Sequence, residues 1–248
     1  MKMNKNDFAI ITGASTGIGR TIAIKLANKG YFVGLVGRNR EELNSTMEMI
    51  GEIKGKGEIF ICDLSQTDSI NTLILTITKS FGKVDVLVNV AGIWHGNDKA
   101  YAGVNYEKFS QQVIIDTLHV GLLAPMLLVN KLIRFMPKKS KIINISGTFE
   151  SGAKGWLPYF VSKKGIEDFT IGLAEELKER NIQVNAISPS DVATEAYKKF
   201  FPQYIKDAID PNEIAKFVVS LLSDRSHEIT GKVFVLKKDK VPYEGYHT

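Results

Sequence analysis

The sequence predicts an α/β fold: one doubly wound parallel sheet of about seven strands, with helices packed on both faces. Three observations indicate it. Short apolar, β-branched runs alternate with amphipathic runs along the whole chain, which is typical of strand–helix–strand units. Runs such as "VDVLVNV" and "KIINIS" are apolar at nearly every position, as strands covered on both faces must be. The 248 residues suit a single domain over 1–248, and no linker, repeat or low-complexity segment divides them.

The elements follow in alternating order. The apolar runs predict strands over residues 8–12, 31–36, 58–62, 84–90, 141–146, 182–187 and 232–236. Amphipathic spacing predicts helices over residues 18–29, 65–81, 106–136, 159–180 and 211–222. Gly30 and Gly82 follow two of these helices and Pro137 follows the longest one, and both residue types commonly end helices.

Composition restricts the classes of function. The formal net charge is +5, but the lysines are spread out and no arginine-rich, aromatic-interleaved stretch occurs, so we predict no nucleic-acid partner. We also predict no metal site. No run of about 18 apolar residues occurs, and the N-terminus lacks signal-peptide features, so we predict no membrane span and a cytoplasmic location. The one cysteine, Cys62, cannot form an internal disulfide, which fits a reducing compartment.

The stretch "ITGASTGIG" places three glycines between the first strand and the first helix. Backbone N–H groups at a helix N-terminus bind anions, and the helix dipole favours negative charge there. In such a turn Gly13 permits the tight bend, Gly17 lets a pyrophosphate approach the backbone, and Gly19 lets the helix pack closely on the sheet. The segment therefore predicts a dinucleotide-binding loop.

Four segments in order resemble the motifs of the short-chain dehydrogenase/reductase family, in particular its 3-oxoacyl-ACP-reductase-like carbonyl reductases. They are "TGASTGIG", "NVAG" at residues 89–92, "YFVSK" at residues 159–163 and "NAISPS" at residues 185–190. The resemblance implies a single Rossmann-type domain that binds NAD or NADP in a homodimer or homotetramer. The predicted cofactor contacts are Gly13, Ser15, Thr16, Gly17, Ile18, Gly19, Arg38, Asp63, Leu64, Asn89, Ala91, Gly92, Tyr159, Lys163, Pro189, Val192 and Thr194.

The end of the predicted second strand distinguishes the two cofactors. An acidic residue there would accept hydrogen bonds from a ribose 2′-hydroxyl and repel a 2′-phosphate. In "LVGRNR" that position is Gly37, and the guanidinium of Arg38, which follows, matches a phosphate. We therefore predict NADP(H), with Arg38 as the main 2′-phosphate ligand and Asn39 or Arg40 as helpers. For Asp63 two interpretations stay open: the adenine contact that the resemblance implies, or a cap for the next helix.

The candidate chemistry rests on Tyr159 and Lys163. They are four residues apart on a predicted helix, so their side chains share a face. A lysine ammonium beside a phenol favours the phenolate and lowers the phenol pKa. Tyr159 is thereby predicted to donate a proton to a carbonyl oxygen, while the cofactor supplies the hydride. The resemblance implies that Lys163 also holds the nicotinamide ribose.

The catalytic serine of the family is less certain in this sequence. It lies thirteen residues before the tyrosine, which selects Ser146. Relatives often read "ISS", with the second serine acting, and that register places Gly147 at the active position of the "ISG" found here. Thr148 and Ser151 are nearby substitutes. We predict Ser146.

The family asparagine of the long helix is missing. One alignment places Gly121 at its position and a second places Leu118 there, and no asparagine lies between residues 105 and 130. Asp116 or His119 is a candidate for an altered proton path.

The remaining candidates surround the predicted pocket. The resemblance implies a lid after "NAISPS", in which Thr194 meets the nicotinamide amide. Other pocket candidates are Trp94, His95, Glu150, Trp156, Phe200, Phe201 and Tyr204, although the three in the lid could equally be core side chains of a helix. The predicted function is NADPH-dependent reduction of a ketone or 3-oxoacyl group to a secondary alcohol. The alternative, motivated by the missing asparagine, is a catalytically weakened NADP-binding sensor or scaffold.

Overall fold

The computed structural model describes residues 7–149, 153–223, 226 and 228–246, and these form one sheet of eight strands. The spatial order is β3-β2-β1-β4-β5-β6-β7-β8; the first seven strands are parallel, and β8 pairs antiparallel with β7. The chain order reverses between β1 and β4, which is where open parallel sheets bind ligands. The strands are β1 Phe8–Thr12, β2 Phe32–Gly37, β3 Lys56–Ile61, β4 Val86–Asn89, β5 Lys141–Ile145, β6 Gln183–Pro189, β7 Lys232–Leu236 and β8 Tyr243–Glu244.

Helices cover both faces of the sheet and create two hydrophobic cores. Adjacent residues of β1 belong to different cores, Ile11 to the first and Ile10 to the second, because successive strand side chains point to opposite faces. The first core packs α1, α2 and α8 on the sheet, and the second packs α3 and α5. The helices are α1 Gly17–Asn28, α2 Arg40–Glu52, α3 Thr67–Phe81, α4 Gln111–Leu118, α5 Ala124–Leu132, α6 Leu157–Leu177, α7 Glu195–Phe200 and α8 Pro211–Leu221.

The predicted fold class is confirmed, and β1 and β7 have the predicted bounds. Three elements were not among the predicted ranges: β8, which is only two residues long, the short helix α7, and α2. The sequence of α2 is mostly polar and buries only Leu43, Thr46 and Ile50, so few apolar positions mark it as a helix.

The helix predicted over residues 106–136 is interrupted. A π-helical turn, His119–Leu123, separates α4 from α5, and short 3₁₀ turns lie at both ends, Tyr106–Lys108 and Ile133–Phe135. Pro125 lacks the N–H that would bond to the carbonyl of Gly121, so regular α-helical bonding cannot run through this point.

The same segment, Gln111–Phe135, is the one stretch in the described residues that is long and apolar enough to cross a membrane, with a mean hydropathy of 1.7. The prediction of no membrane span did not anticipate this. In the structure α4 packs against α6 and α5 packs against α3, which are the contacts of a helix in a protein core. A core helix meets the same length and composition criteria as a membrane span, so this stretch does not establish one.

Candidate active site

A cavity of about 900 Å³ opens at the carboxyl ends of β1, β4, β5 and β6. Of the predicted cofactor residues, all but Asn89 line it. Asn89 is buried at the end of β4, where its amide nitrogen donates to Asn144 Oδ1 at 2.8 Å. The structure therefore corrects Asn89 from a cofactor contact to a buried side chain that links β4 to β5.

The three glycines after β1 are required by close backbone contacts. Gly13 has φ of +67°, and a Cβ there would lie 3.1 Å from the backbone of Ala91. A Cβ on Gly17 would lie 3.1 Å from Thr194 Cγ2, and one on Gly19 would lie 2.1 Å from the carbonyl oxygen of Gly13. Thr16 makes no side-chain cap and the first turn of α1 carries no acidic residue. The N–H groups of this turn are therefore free of side-chain competition for an anion.

The glycine loop after β1 is hydrogen-bonded by side chains that sequence analysis did not identify. Arg20 Nη2 donates to the carbonyl oxygen of Ser15 and to Glu42 Oε2, each at 2.5 Å. Thr46 Oγ1 lies 3.0 Å from the carbonyl oxygen of Ala14. Glu42 and Thr46 belong to α2, and because that helix was not predicted, nothing in the sequence pointed to this support.

Arg38 is the one predicted 2′-phosphate ligand that lines the cavity. Its guanidinium is exposed and makes no hydrogen bond or ion pair with the described residues. Asn39 is engaged as the N-cap of α2, where its side-chain oxygen accepts from Glu42 N at 3.2 Å. Arg40 begins α2 and does not line the cavity. The structure therefore offers Arg38 alone and does not favour either helper.

Asp63 and Leu64 lie on the cavity wall after β3. Asp63 Oδ1 accepts from both the backbone N–H and the hydroxyl of Ser65, at 2.9 and 2.8 Å. This contact shapes the turn before α3, but the N-cap itself is Gln66, so Asp63 is not a helix cap in the strict sense. One carboxylate oxygen is thus committed to the turn, in a residue that also faces the cavity.

Tyr159 and Lys163 of α6 lie side by side in the same cavity. Lys163 Nζ is 5.3 Å from the centroid of the Tyr159 ring and donates to the carbonyl oxygen of Ile145 at 2.7 Å. A Cβ on Gly92 would lie 3.2 Å from Lys163 Nζ and 3.4 Å from Tyr159 Cε2. The segment after β4 therefore contacts both side chains and limits their movement.

Burial controls the charge states of this pair. Desolvation raises the pKa of Tyr159 well above its ordinary value, so the expected lowering of that pKa by Lys163 is wrong for this arrangement. Desolvation lowers the pKa of Lys163 to about 8, and the nearby carboxylate of Glu167 opposes that decrease. The Tyr159 phenol is therefore protonated near neutral pH. Lys163 is mostly charged at that pH, but it loses its proton at a lower pH than an ordinary lysine does.

Ser146 lines the cavity, but its hydroxyl is not directed to Tyr159. Its Oγ donates to Glu167 Oε1 at 2.6 Å and also lies 2.9 Å from the carbonyl oxygen of Lys163. In this arrangement the Ser146 hydroxyl is buried in contacts with α6, and its catalytic role stays a prediction. A chain that reads "ISG" carries no hydroxyl at the next position, Gly147.

The nearby substitutes differ in position. Thr148 lines the cavity, and its hydroxyl is 3.5 Å from the carbonyl oxygen of Pro189, a weak contact that leaves it available. Ser151 and Glu150 lie outside the described residues. A Cβ on Gly147 would meet only ordinary contacts, the nearest at 3.7 Å to Phe149 Cε2.

Gly121 lies in the π-helical turn and faces α6. A Cβ at this position would be 2.8 Å from Ser162 Oγ, and Ser162 is fully buried. Asp116 accepts from Gln112 at 2.8 Å, and His119 Nδ1 lies 2.8 Å from the carbonyl oxygen of Leu64. Neither residue lines the cavity, so the structure does not place them on an altered proton path.

Aromatic rings form the wall beside Tyr159. The ring of Phe201 lies 6.0 Å from Trp94, 5.7 Å from Trp156 and 5.3 Å from Tyr197, centroid to centroid. Trp156 in turn lies 6.2 Å from Tyr159. This set of Trp94, Trp156, Tyr197 and Phe201 makes that end of the cavity apolar.

The other pocket candidates are placed as follows. His95, Thr194 and Tyr204 line the cavity, whereas Phe200 does not and instead contacts Trp94 and His95 with its ring. Thr194 also caps α7 by accepting from Tyr197 N at 3.2 Å. Phe200 is therefore a packing residue of α7, as one of the two sequence interpretations held.

Comparison with known proteins gives consistent results. The family described as short chain dehydrogenase matches residues 7–205. 3-Oxoacyl-[acyl-carrier-protein] reductase FabG of Haemophilus influenzae is 31% identical over 235 residues, 90% of this chain and 93% of that protein. Carbonyl reductase family member 4 of Danio rerio is 30% identical over 237 residues, 92% and 95% of the two chains. A solved metagenomic short-chain oxidoreductase in complex with NADP is 28% identical, with a TM-score of 0.80 over 95% and 98% of the two chains.

The chain belongs to the short chain dehydrogenase family. It is accordingly an oxidoreductase of the class that acts on C=O and CH–OH groups.

Proposed function

We propose that this protein uses NADPH to reduce a ketone or 3-oxoacyl group to a secondary alcohol. The observation that carries the proposal is that Tyr159 and Lys163 share one cavity with the glycine loop. The relatives named above as 3-oxoacyl-[acyl-carrier-protein] reductase and carbonyl reductase support this substrate class. The NADP complex of the metagenomic relative supports the cofactor.

The residues present fit a dinucleotide phosphate. The glycine loop has no room for a side chain at Gly19, so the backbone N–H groups are open to a pyrophosphate. Arg38 offers a guanidinium fork without a protein partner among the described residues, which suits a 2′-phosphate. Gly37 places no carboxylate there to repel it. When bound, the nicotinamide supplies the hydride.

In the proposed reaction Tyr159 donates its phenolic proton to the carbonyl oxygen as the carbonyl carbon receives the hydride. The resulting phenolate is stabilised by the Lys163 ammonium and regains its proton from solvent. Reduction needs a protonated phenol and oxidation needs the phenolate. Because burial raises the pKa of Tyr159, the phenol is present in the protonated form that reduction needs. The aromatic wall excludes water and binds apolar substrate groups.

The test follows the nicotinamide absorbance with a panel of ketones, 3-oxoacyl thioesters and quinones, after NADPH binding has been confirmed by fluorescence. We expect turnover that Tyr159→Phe lowers by about 10²–10⁴-fold while NADPH binding is retained. Phe160→Tyr, a change of the same size on the next residue of α6, is the matched control. Turnover unchanged in Tyr159→Phe would reject the assigned chemistry.

A second candidate function is favoured by two observations: the Ser146 hydroxyl is directed to Glu167 and not to Tyr159, and no asparagine lies between residues 105 and 130. The protein would then bind NADP as a catalytically weakened sensor or scaffold. Tight NADPH binding without turnover across the same panel is the outcome that selects it.

We further propose that the protein self-associates through α4, α5 and α6. These helices, with the π-helical turn between α4 and α5, expose the apolar side chains Ile115, Leu123, Met126 and Val161, between 39% and 48% accessible in the single chain. Exposed apolar patches of this kind commonly mark interfaces. Sedimentation velocity should give a dimer or larger species that Val161→Glu shifts towards the monomer, and a monomeric wild type would exclude the proposal.

A further inference from the structure

A buried polar cluster adjoins the floor of the cavity. It consists of Ser146 at the end of β5 and of Lys164 and Glu167 on α6. Glu167 is fully buried, and its Oε1 accepts from Ser146 Oγ at 2.6 Å and lies 3.2 Å from Lys164 Nζ. A carboxylate withdrawn from water to this extent is stable as an anion only with charge-assisted hydrogen bonds of this kind.

The cluster is joined to Lys163 in two ways. Ser146 Oγ lies 2.9 Å from the carbonyl oxygen of Lys163, while Lys163 Nζ donates to the carbonyl oxygen of Ile145, the residue before Ser146. Glu167 follows Lys163 by four residues on α6, so the carboxylate and the ammonium lie on the same helix face. Ile145, the last residue of β5, and Ser146, which follows it, are thus both hydrogen-bonded to the turn of α6 that carries Lys163.

We propose that Glu167 is a positioning residue of this site: its buried carboxylate holds Lys163 in the ammonium form and, through Ser146, fixes the turn of α6 that carries it. The consequence for catalysis rests on the proposed function, in which the ammonium stabilises the Tyr159 phenolate. The effect on Lys163 itself does not depend on any reaction.

The physical reason is electrostatic compensation. Lys163 is 2% exposed, and at that depth desolvation alone favours the neutral amine. The Glu167 carboxylate on the same helix face opposes this loss of charge. The pKa of Lys163 accordingly stays at about 8 rather than falling further. A pKa of about 8 leaves most of the lysine charged at neutral pH, whereas a value one unit lower would leave only about half.

Several other ionisable groups surround the same cavity, and the carboxylates among them interact with other residues. On α6 itself these are Tyr159, which is protonated, and Lys164, which is paired with Glu167. Asp63 after β3 accepts from Ser65, Asp191 after β6 acts electrostatically on the Tyr197 phenol, and Glu195 of α7 lies 4.0 Å from Arg20 Nη1. Beyond the cavity wall, Asp116 of α4 accepts from Gln112 and His119 contacts the Leu64 carbonyl. Glu167 is therefore the carboxylate placed to act on Lys163.

The test is a titration of the Lys163 side chain by NMR on the full chain with isotope-labelled lysine, with the resonance assigned by its loss in Lys163→Met. In Glu167→Gln, which keeps the shape of the side chain, we expect the pKa of Lys163 to fall by about one pH unit. Glu167→Asp, which keeps the charge, should restore most of the wild-type value. Glu176→Gln, the same change on an exposed turn of α6, should leave the titration unchanged. An unchanged pKa in Glu167→Gln would overturn the proposal.

Glu167→Gln leaves Lys164 with a weaker partner, so the folded state is checked by circular dichroism first. If this variant does not fold, Lys164→Met with Glu167→Gln removes both charges and keeps the side-chain volumes. A fall of the Lys163 pKa in the double variant supports the proposal, and an unchanged or higher value overturns it.

The titration also separates this inference from the proposed function. If the wild type turns over no substrate but Glu167→Gln still lowers the Lys163 pKa, the proposed function fails and the inference stands. If the wild type reduces ketones and the pH dependence of its kcat is the same in Glu167→Gln, the inference fails alone.

Discussion

Gly121 of the π-helical turn and Ser162 of α6 are in direct contact, and there is no room between them for a side chain at position 121. A Cβ there would lie 2.8 Å from Ser162 Oγ and 3.0 Å from Ser162 Cβ. Ser162 is fully buried and donates to the carbonyl oxygen of Tyr159 at 2.7 Å, so it cannot simply move aside. The glycine at position 121 is therefore matched by Ser162, the residue that faces it.

This contact predicts that an asparagine introduced at position 121, one of the two positions at which the resemblance would place it, harms the protein when it is introduced alone. Gly121→Asn should lower the free energy of unfolding by about 1–3 kcal/mol through overpacking, measured by urea denaturation. Gly121→Asn with Ser162→Gly should recover much of the loss. Gly172→Asn on α6, where a Cβ meets nothing within 4 Å, is the control and should change stability little. A single variant as stable as the wild type would show that the helices move apart at low cost.

The space at Gly147 predicts a gain of activity. A Cβ there makes only ordinary contacts, so Gly147→Ser should fold and place a hydroxyl on the cavity wall. We expect kcat/KM for ketone reduction to rise by about tenfold, since a hydrogen bond to the developing oxyanion stabilises the transition state. Gly147→Ala is the matched control for the added methylene. A serine variant no faster than the alanine variant would show that no serine is needed here.

Arg38 predicts the cofactor preference. Arg38→Asp should weaken NADPH binding and improve NADH binding, so that the ratio of the two dissociation constants changes by at least about 100-fold. Arg40→Asp introduces the same charge two residues on, outside the cavity, and separates a general field effect from a direct contact. Equal effects of the two substitutions on the ratio would reject the assignment of Arg38.

Lys163 predicts a pH dependence of stability. Its pKa is about 8 in the folded protein and 10.5 in an ordinary environment, so between these values the unfolded chain binds more protons. The contribution of Lys163 to stability therefore increases as the pH rises from about 8 towards 10.5, by on the order of 3 kcal/mol in total. The free energy of unfolding of the wild type minus that of Lys163→Met should rise between pH 7.5 and about 9.5. A flat difference would show that Lys163 is not desolvated.

The pKa of about 8 for Lys163 also predicts how the activity depends on pH. Reduction needs the Lys163 ammonium, so kcat/KM should fall as the pH rises past about 8. The phenol imposes no limit in that range because burial raises its pKa. A rate constant that stays level up to pH 10 would contradict the assigned role of Lys163.

Local patterns predicted most of the fold. Apolar runs located the seven parallel strands, because strands covered on both faces have few polar positions. The same patterns did not predict α2, which has only three buried residues. They also did not predict β8, because two residues are too few to show a periodicity. The break in the long helix had a visible cause, Pro125, but its π-helical form depends on contacts with α6.

The candidate site was predicted where it depends on spacing and missed where it depends on side-chain direction. The spacing of Tyr159 and Lys163 fixes a shared helix face, and the structure places both in the cavity. The direction of the Ser146 hydroxyl depends on Glu167, which is remote in sequence and had no recognised role. The rise in the pKa of Tyr159 reflects burial, which no local pattern reports.

The last strand has a consequence for how the protein is handled. By pairing with β7, the C-terminal segment occupies backbone groups that would otherwise be available to another chain. At the opposite border of the sheet, β3 carries Lys56 and Glu58 with exposed side chains, a charged pattern that discourages strand addition there. Removal of the residues from 243 onward would therefore leave an uncovered border at β7, and a chain shortened in this way would be more prone to aggregate than the 248-residue chain.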